Sequence, residues 1–228
     1  MAGIILTPDW DFAGAEKEFQ QALKLNPNLA LAHDGYAFYL ASLGRFPEAV
    51  AEQKKAVALD PLSPYTTADL GFIYEYAREF DKAIESAKQA MEFDASFTWS
   101  YHVLGWSLLY QGKPGEAIPH FEKARRLMDF PWTMLNLGCA YAVAGDRARA
   151  EAVIKDLDDL ATGQFVSPIC KGYVWTFLGE KARALEQLER CVAERDPYCV
   201  NLKTDPAFER FHAEPRFQAL LKKVGFPE

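Results

Sequence analysis

The sequence predicts an all-α fold, a stack of helix-turn-helix units closed by a C-terminal capping helix, and three observations carry that prediction. Alanines recur as Ala15, Ala49, Ala83, Ala117, Ala150 and Ala184, in steps of 34 residues with a single step of 33. Glycines Gly71, Gly105, Gly138 and Gly172 keep the same period, with Ala37 one step earlier. A second set, Gly44, Gly112, Gly145 and Gly179, falls seven residues behind the first, with Arg78 standing in once. A fixed period in this range signals stacked supersecondary units, each burying its apolar face on the next. Gly inside a helix costs about 1 kcal/mol against Ala, so the first set needs a packing reason, and close approach of a neighbouring helix backbone supplies one. The second set marks where a first helix stops and a second turns back, the usual place for a left-handed C-terminal glycine.

In chain order, residues 11–26 read as a second helix, with Phe12, Ala15, Phe19, Ala22 and Leu23 on one apolar face. Only ten residues precede it and Thr7-Pro8-Asp9 breaks them, so its partner helix is missing. This incomplete unit, 1–28, reads as a chain cut from a longer protein rather than a gene product that begins here. Phe12, Phe19 and Leu23 then need a cover, either residues 1–6 or a second copy in a weak homodimer through this N-terminal face. The next unit spans 29–62, with helices near 31–43 and 47–59. Unit 63–96 opens with Ser63 as N-cap and Pro64 at the first helical position, and its helices fall near 64–77 and 80–93. Unit 97–130 has helices near 98–111 and 114–128, and Pro119, one turn into the latter, is expected to loosen or kink it.

Unit 131–163 has helices near 131–144 and 147–160. Unit 164–196, with helices near 168–178 and 180–194, is the most degraded, Lys171 replacing the Leu that precedes the other ladder glycines. The array thus covers 1–196 and leaves 197–228 as a capping tail. There Asp205 and Pro206 start a short helix over 206–211, and a longer one over 215–224 stops at Gly225, with Phe217, Leu220, Leu221 and Val224 on one stripe.

Two units carry the pattern most fully: Leu104-Gly105, Gly112, Ala117, Phe121 and Ala124 in one, and Leu70-Gly71, Tyr74, Phe80, Ala83 and Ala90 in the one before. At these positions the chain resembles the tetratricopeptide repeat (TPR) family, over residues 10–194. The resemblance implies a right-handed α-solenoid whose first helices line a concave groove for a protein or peptide, without catalysis. The tail segments Asp205-Pro-Ala-Phe208 and Glu214-Pro-Arg-Phe217 are similar to those closing TPR regions of bacterial signalling proteins, behind winged-helix regulator, nucleotidyl cyclase or protein-kinase domains. That similarity supplies a second reading, the C-terminal regulatory or sensor region of a larger bacterial signalling or transcription-regulating protein.

Composition excludes several other classes. A net charge of −7 over 228 residues, with basic doublets that stay isolated, argues against a nucleic-acid partner. No run reaches the ~18 apolar residues of a membrane span. The first eight residues lack the basic region and long apolar core of a signal peptide, so a cytoplasmic location is expected. Cys139, Cys170, Cys191 and Cys199 lie at unrelated spacings without a C-x-x-C pair, which favours buried reduced thiols over a metal site. No phosphate loop, dinucleotide fingerprint, nucleophile elbow or zinc-protease motif occurs. His33, His102, His120 and His212 are scattered, and Asp156, Asp158 and Asp159 lack the Gly and bidentate Glu of a calcium loop. No enzyme, cofactor or metal is expected.

The resemblance also implies which residues face the groove. Repeat phases place Leu31, Asp34 and Phe38 there from one unit, and Tyr65, Phe72, Glu75 and Tyr76 from the next. The unit after these gives Trp99, His102, Trp106, Leu109 and Tyr110, and the following one Trp132, Leu135, Cys139 and Val143. Of these, Phe38, Tyr65, Phe72, Tyr76, Trp99, His102, Trp106, Tyr110 and Trp132 form the expected peptide-binding set. Trp99, Trp106 and Tyr110 share one side of a first helix, since steps of seven and four recur at nearly two turns and one turn. Two accounts stay open: packing between adjacent repeats, or an exposed aromatic stripe larger than a monomer ordinarily shows. The Lys and Asn clamp of chaperone-binding members is missing; Asp34, Phe38, Ala68, Phe72, His102 and Trp106 stand in its places, so capture of a heat-shock chaperone tail is not expected.

Overall fold

First helices here are apolar on nearly every side and second helices on one face only, and this difference decides the architecture. The structure, a computed structural model, describes residues 10–227. Its helices are α1 (Phe12–Leu25), α2 (Ala30–Ser42), α3 (Phe46–Leu59), α4 (Pro64–Tyr76), α5 (Phe80–Phe93), α6 (Thr98–Tyr110), α7 (Pro114–Leu127), α8 (Pro131–Val143), α9 (Arg147–Ala161), α10 (Pro168–Phe177), α11 (Lys181–Ala193) and α12 (Pro215–Val224). Two 3₁₀ turns, Pro197–Asn201 and Pro206–Phe211, lie between α11 and α12, and no strand occurs among the described residues. The helix pairs stack as a right-handed α-solenoid. Helices α2, α4, α6, α8 and α10 form its inner layer. Every residue of α6 from Ser100 to Leu109 is buried, whereas its partner α7 buries only Ala117, Phe121 and Ala124. The alanine series is the seam between the layers: Ala49, Ala83, Ala117, Ala150 and Ala184 have no exposed surface.

The second glycine set has the turn role its spacing implies. The backbone approach expected at the first is corrected at three positions: side chains of Val174 and Val153 meet Gly138, those of Leu188 and Gln187 meet Gly172, and a ring meets Gly105. Gly44, Gly112, Gly145 and Gly179 all have left-handed φ values between 74 and 82°, and Arg78 takes the same conformation at 65°. A β-carbon on Gly71 would sit 2.9 Å from Val103 Cγ1 and 3.1 Å from the Ala83 carbonyl oxygen, so the backbone approach expected occurs here together with a side chain. At Gly105 the neighbour is not backbone: the Phe121 ring fills the space, 2.3 Å from where a β-carbon would be. The expected weakening at Pro119 does not occur, as α7 runs through it unbroken. Pro119 and Gly115, whose carbonyl loses its donor, are both exposed, which leaves that oxygen open to solvent.

The two ends of the solenoid meet. Phe12 is buried, its ring 5.1 Å from that of Phe226, and the Arg195 guanidinium lies 5.7 Å over the Trp10 ring. The cover expected from residues 1–6 or from a second copy is therefore supplied at Phe12 by the chain's own far end; residues 1–6 lie outside the described residues. Phe19 stacks on Tyr36 at 5.8 Å and stays half-buried. All four cysteines are buried and free.

Candidate functional site

Asp205 joins three parts of the chain. As the N-cap of the second 3₁₀ turn it accepts from the Ala207 amide at 2.8 Å, as the Asp-Pro pair predicts. Its other oxygen accepts from the hydroxyls of Tyr76 on α4, at 2.7 Å, and Tyr173 on α10. Burial raises the pKa of its carboxyl, and the bonds from both phenols and the amide oppose that rise. Around this point the tail lies along the concave face. Arg78 reaches Glu209 at 2.8 Å, Arg210 donates to the Thr176 carbonyl at 2.9 Å, and Tyr198 packs on Trp132 with ring centres 4.4 Å apart. The groove therefore holds the chain's own residues 196–212, and the expectation of an open aromatic stripe is corrected on this point.

Between tail and inner helices remains a cavity of about 280 Å³. Phe38, Phe72, Tyr76, Trp99, His102, Trp106, Tyr110 and Trp132 all line it, joined by Glu75. Tyr65 stands apart, against Phe97 at 6.3 Å. Phe38, Trp99, Tyr110 and Trp132 are half-buried, while Phe72, Tyr76, His102 and Trp106 are buried. Trp106 is 3% exposed, wedged among Tyr110, Phe121, Tyr173 and Phe177, so it is core as well as lining. Its indole donates to Asn136 Oδ1 at 2.8 Å, and Asn136 Nδ2 donates to His102 Nδ1 at 3.0 Å. The His102 ring stacks on Trp99 at 4.2 Å, and burial lowers its pKa to about 3, so it is a neutral acceptor.

Three buried acids complete the surroundings. Asp34 accepts from Gln53 at 2.7 Å, and Asp69 accepts from the Trp99 indole at 2.7 Å. Burial raises both pKa values, the Asp34 charge adding to the rise at Asp69, and each carboxyl keeps one buried oxygen without a hydrogen-bond partner. Glu75 differs in lining the cavity: it is 3% exposed, and its Oε2 likewise has no hydrogen-bond partner. Burial, with the Asp205 charge nearby, holds its pKa well above the usual range.

Sequence reasoning missed Tyr173, Tyr198 and Asp205. Tyr173 was within reach: it follows Gly172 as Phe72 follows Gly71 and Trp106 follows Gly105. Asp205 showed its capping role but not its tyrosine partners, because nothing in a 3₁₀ turn reveals where a tail folds back. Among the described residues no cluster of three or more metal-ligating side chains occurs, and no helix is long and apolar enough to cross a membrane.

Two family models described as tetratricopeptide repeat match residues 11–64 and 131–155. Hsp70-Hsp90 organizing protein 3 of Arabidopsis thaliana is 31% identical over 80 residues, 35% of this chain and 14% of that protein. Small glutamine-rich tetratricopeptide repeat-containing protein 2 of Mycosarcoma maydis is 30% identical over 115 residues, 50% of this chain and 28% of that protein. The chain thus spans less than a third of the length of these relatives. Among solved structures, a chain of the APC/C hetero-tetramer Cut9-Hcn1 superposes with a TM-score of 0.67 at 14% identity, over 96% of this chain and 44% of that one.

Proposed function

Because the chain belongs to the tetratricopeptide-repeat proteins, which mediate protein–protein interaction, we propose that it is a non-catalytic scaffold holding a protein or peptide segment in its concave groove. The observation that carries this is the tail itself. Residues 196–212 lie on the inner helices as a bound peptide would, through Asp205 on Tyr76 and Tyr173 and through Tyr198 on Trp132. A partner segment then competes with the tail, and its apparent affinity is reduced by the fraction of molecules whose tail is seated. The likeness to Hsp70-Hsp90 organizing proteins does not bring their partner with it. No Lys or Arg lines the cavity, so an anionic peptide terminus finds no counter-charge there.

The test is a peptide-display selection on the full chain and on its Asp205→Ala variant, with a synthetic peptide of residues 196–214 as competitor. Selected peptides should bind the variant about ten-fold or more tightly than the wild type, a difference of ~1.4 kcal/mol or above, and the synthetic peptide should displace them. Peptides that bind both forms equally, or that ignore the competitor, would refute groove binding.

A further inference from the structure

The cavity lining is aromatic and acidic. Ten Phe, Tyr and Trp side chains and two carboxyls line it, and no Lys or Arg does. Its one imidazole, His102, is stacked and bonded to Asn136. The two carboxyls differ. Asp205 is satisfied by two phenols and an amide, whereas Glu75 is buried with Oε2 unpartnered. A buried carboxyl oxygen without a partner carries its full desolvation penalty, and a native protein that keeps one ordinarily has a use for it. Aromatic faces around a carboxyl match a cation whose charge is spread over methyl groups: the ring quadrupoles attract it, most strongly where water is excluded.

We propose that this cavity binds a small organic cation of the quaternary-ammonium class, held by the faces of Trp99, Trp132 and Tyr198 and by the Glu75 carboxylate. At about 280 Å³ the cavity is at the small end of the range for ligand sites. It has room for a free metabolite-sized molecule and none for a peptide beside the seated tail. Without the cation Glu75 keeps its proton, as burial and the Asp205 charge dictate. Entry of the positive charge makes the carboxylate the favoured form, and the proton passes to solvent. The groups facing Glu75 are Asp205, which favours the proton, Arg78, which opposes it, and the Tyr76 and Tyr110 phenols, which burial keeps neutral. Affinity for the cation therefore rises with pH until Glu75 ionises unaided. The inference stands independently of the partner reading, since it needs only the seated tail.

The experiment is a titration of the full-length chain, read by tryptophan fluorescence and by calorimetry. The probes are choline and its uncharged isostere 3,3-dimethylbutan-1-ol. Choline should saturate the signal and bind about ten-fold or more tightly than the isostere, ~1.4 kcal/mol or above. Its affinity should also be greater at high pH than at low pH, while that of the isostere stays flat. Glu75→Gln should remove both the preference and the pH dependence, whereas Asp156→Asn on the outer layer should leave them unchanged. Equal binding of the two probes by the wild type, or saturation by neither, overturns the proposal. That comparison needs no variant, so it holds even if the Glu75 variant folds poorly.

Discussion

The repeat array and the tail bury their aromatic side chains to the same depth, Trp106 at 3% exposure and Phe208 at 0%, but they reach it by different routes. In the array the main packing of each helix is on the helices beside it in sequence and on the matching helix of the next unit. The tail is fastened at a few points to distant partners: Asp205 meets a residue 129 positions away and Glu209 one 131 positions away. A stack of nearest-neighbour interfaces loses stability in increments, whereas a segment held at a few points opens as one local unit. Even the turn residues show the contrast. Where other units place a left-handed glycine, one places Arg78, whose side chain reaches the tail.

The strongest test of this contrast is Trp106→Ala. Truncating a buried Trp costs about 3–5 kcal/mol, and here it removes the neighbour of Phe121, Tyr173 and Phe177 and the donor to Asn136. Chemical denaturation should show the loss as a lower midpoint of the helical signal. A stable variant with only its binding impaired would place Trp106 on an accessible groove surface instead.

Gly105→Leu comes next. Its side chain meets the Phe121 ring, and overpacking of this kind costs about 1–3 kcal/mol, occasionally more. A calorimetric midpoint equal to wild type would mean that α6 and α7 have room to part there, against the close packing described.

Asp205→Ala probes the tail alone. It leaves the Tyr76 and Tyr173 hydroxyls without their acceptor, about 1–3 kcal/mol for the buried groups. Limited proteolysis between residues 196 and 214 should accelerate while far-UV circular dichroism is retained. Loss of both together would make tail and array one cooperative unit.

The smallest effect is pH-dependent. Asp69 has a folded pKa raised by burial, so its contribution is full below the ordinary carboxylate range and is lost as pH rises through the folded value. Asp69→Asn keeps an acceptor for the Trp99 indole and a donor toward Asp34, and it does not ionise. Stability of the variant relative to wild type should therefore increase with pH across that window, by up to about 1.4 kcal/mol per unit. A constant difference between acid and neutral pH would show that Asp69 is charged in the native state.

Much of this was open to reading in the chain because repetition makes local signals reinforce one another. The period located α5 at Phe80–Phe93 and the apolar stripe ending at Gly225 located α12 at Pro215–Val224, both as observed; the Ser63 and Asp205 caps are formed, and eight of the nine expected groove residues line one cavity. The Gly105 contact was mis-assigned because a missing side chain says that something approaches, not whether it is backbone or a ring. Pro119 was mis-weighted because its cost depends on whether water reaches the carbonyl it abandons.

What the sequence determined alone is the all-α class, the helix pairs, their turns and the inner aromatic face, all properties of contacts within a period or two. Only the tertiary structure decided that this face is closed. The curvature accumulated over the stack brings Phe226 onto Phe12 and carries Asp205 between Tyr76 and Tyr173. Such contacts sum small rotations from every unit, and no short motif encodes that sum. Glu75 was expected to face the groove, but as a residue open to solvent; in the folded chain it is a buried carboxyl in a cavity that ten aromatic side chains also line.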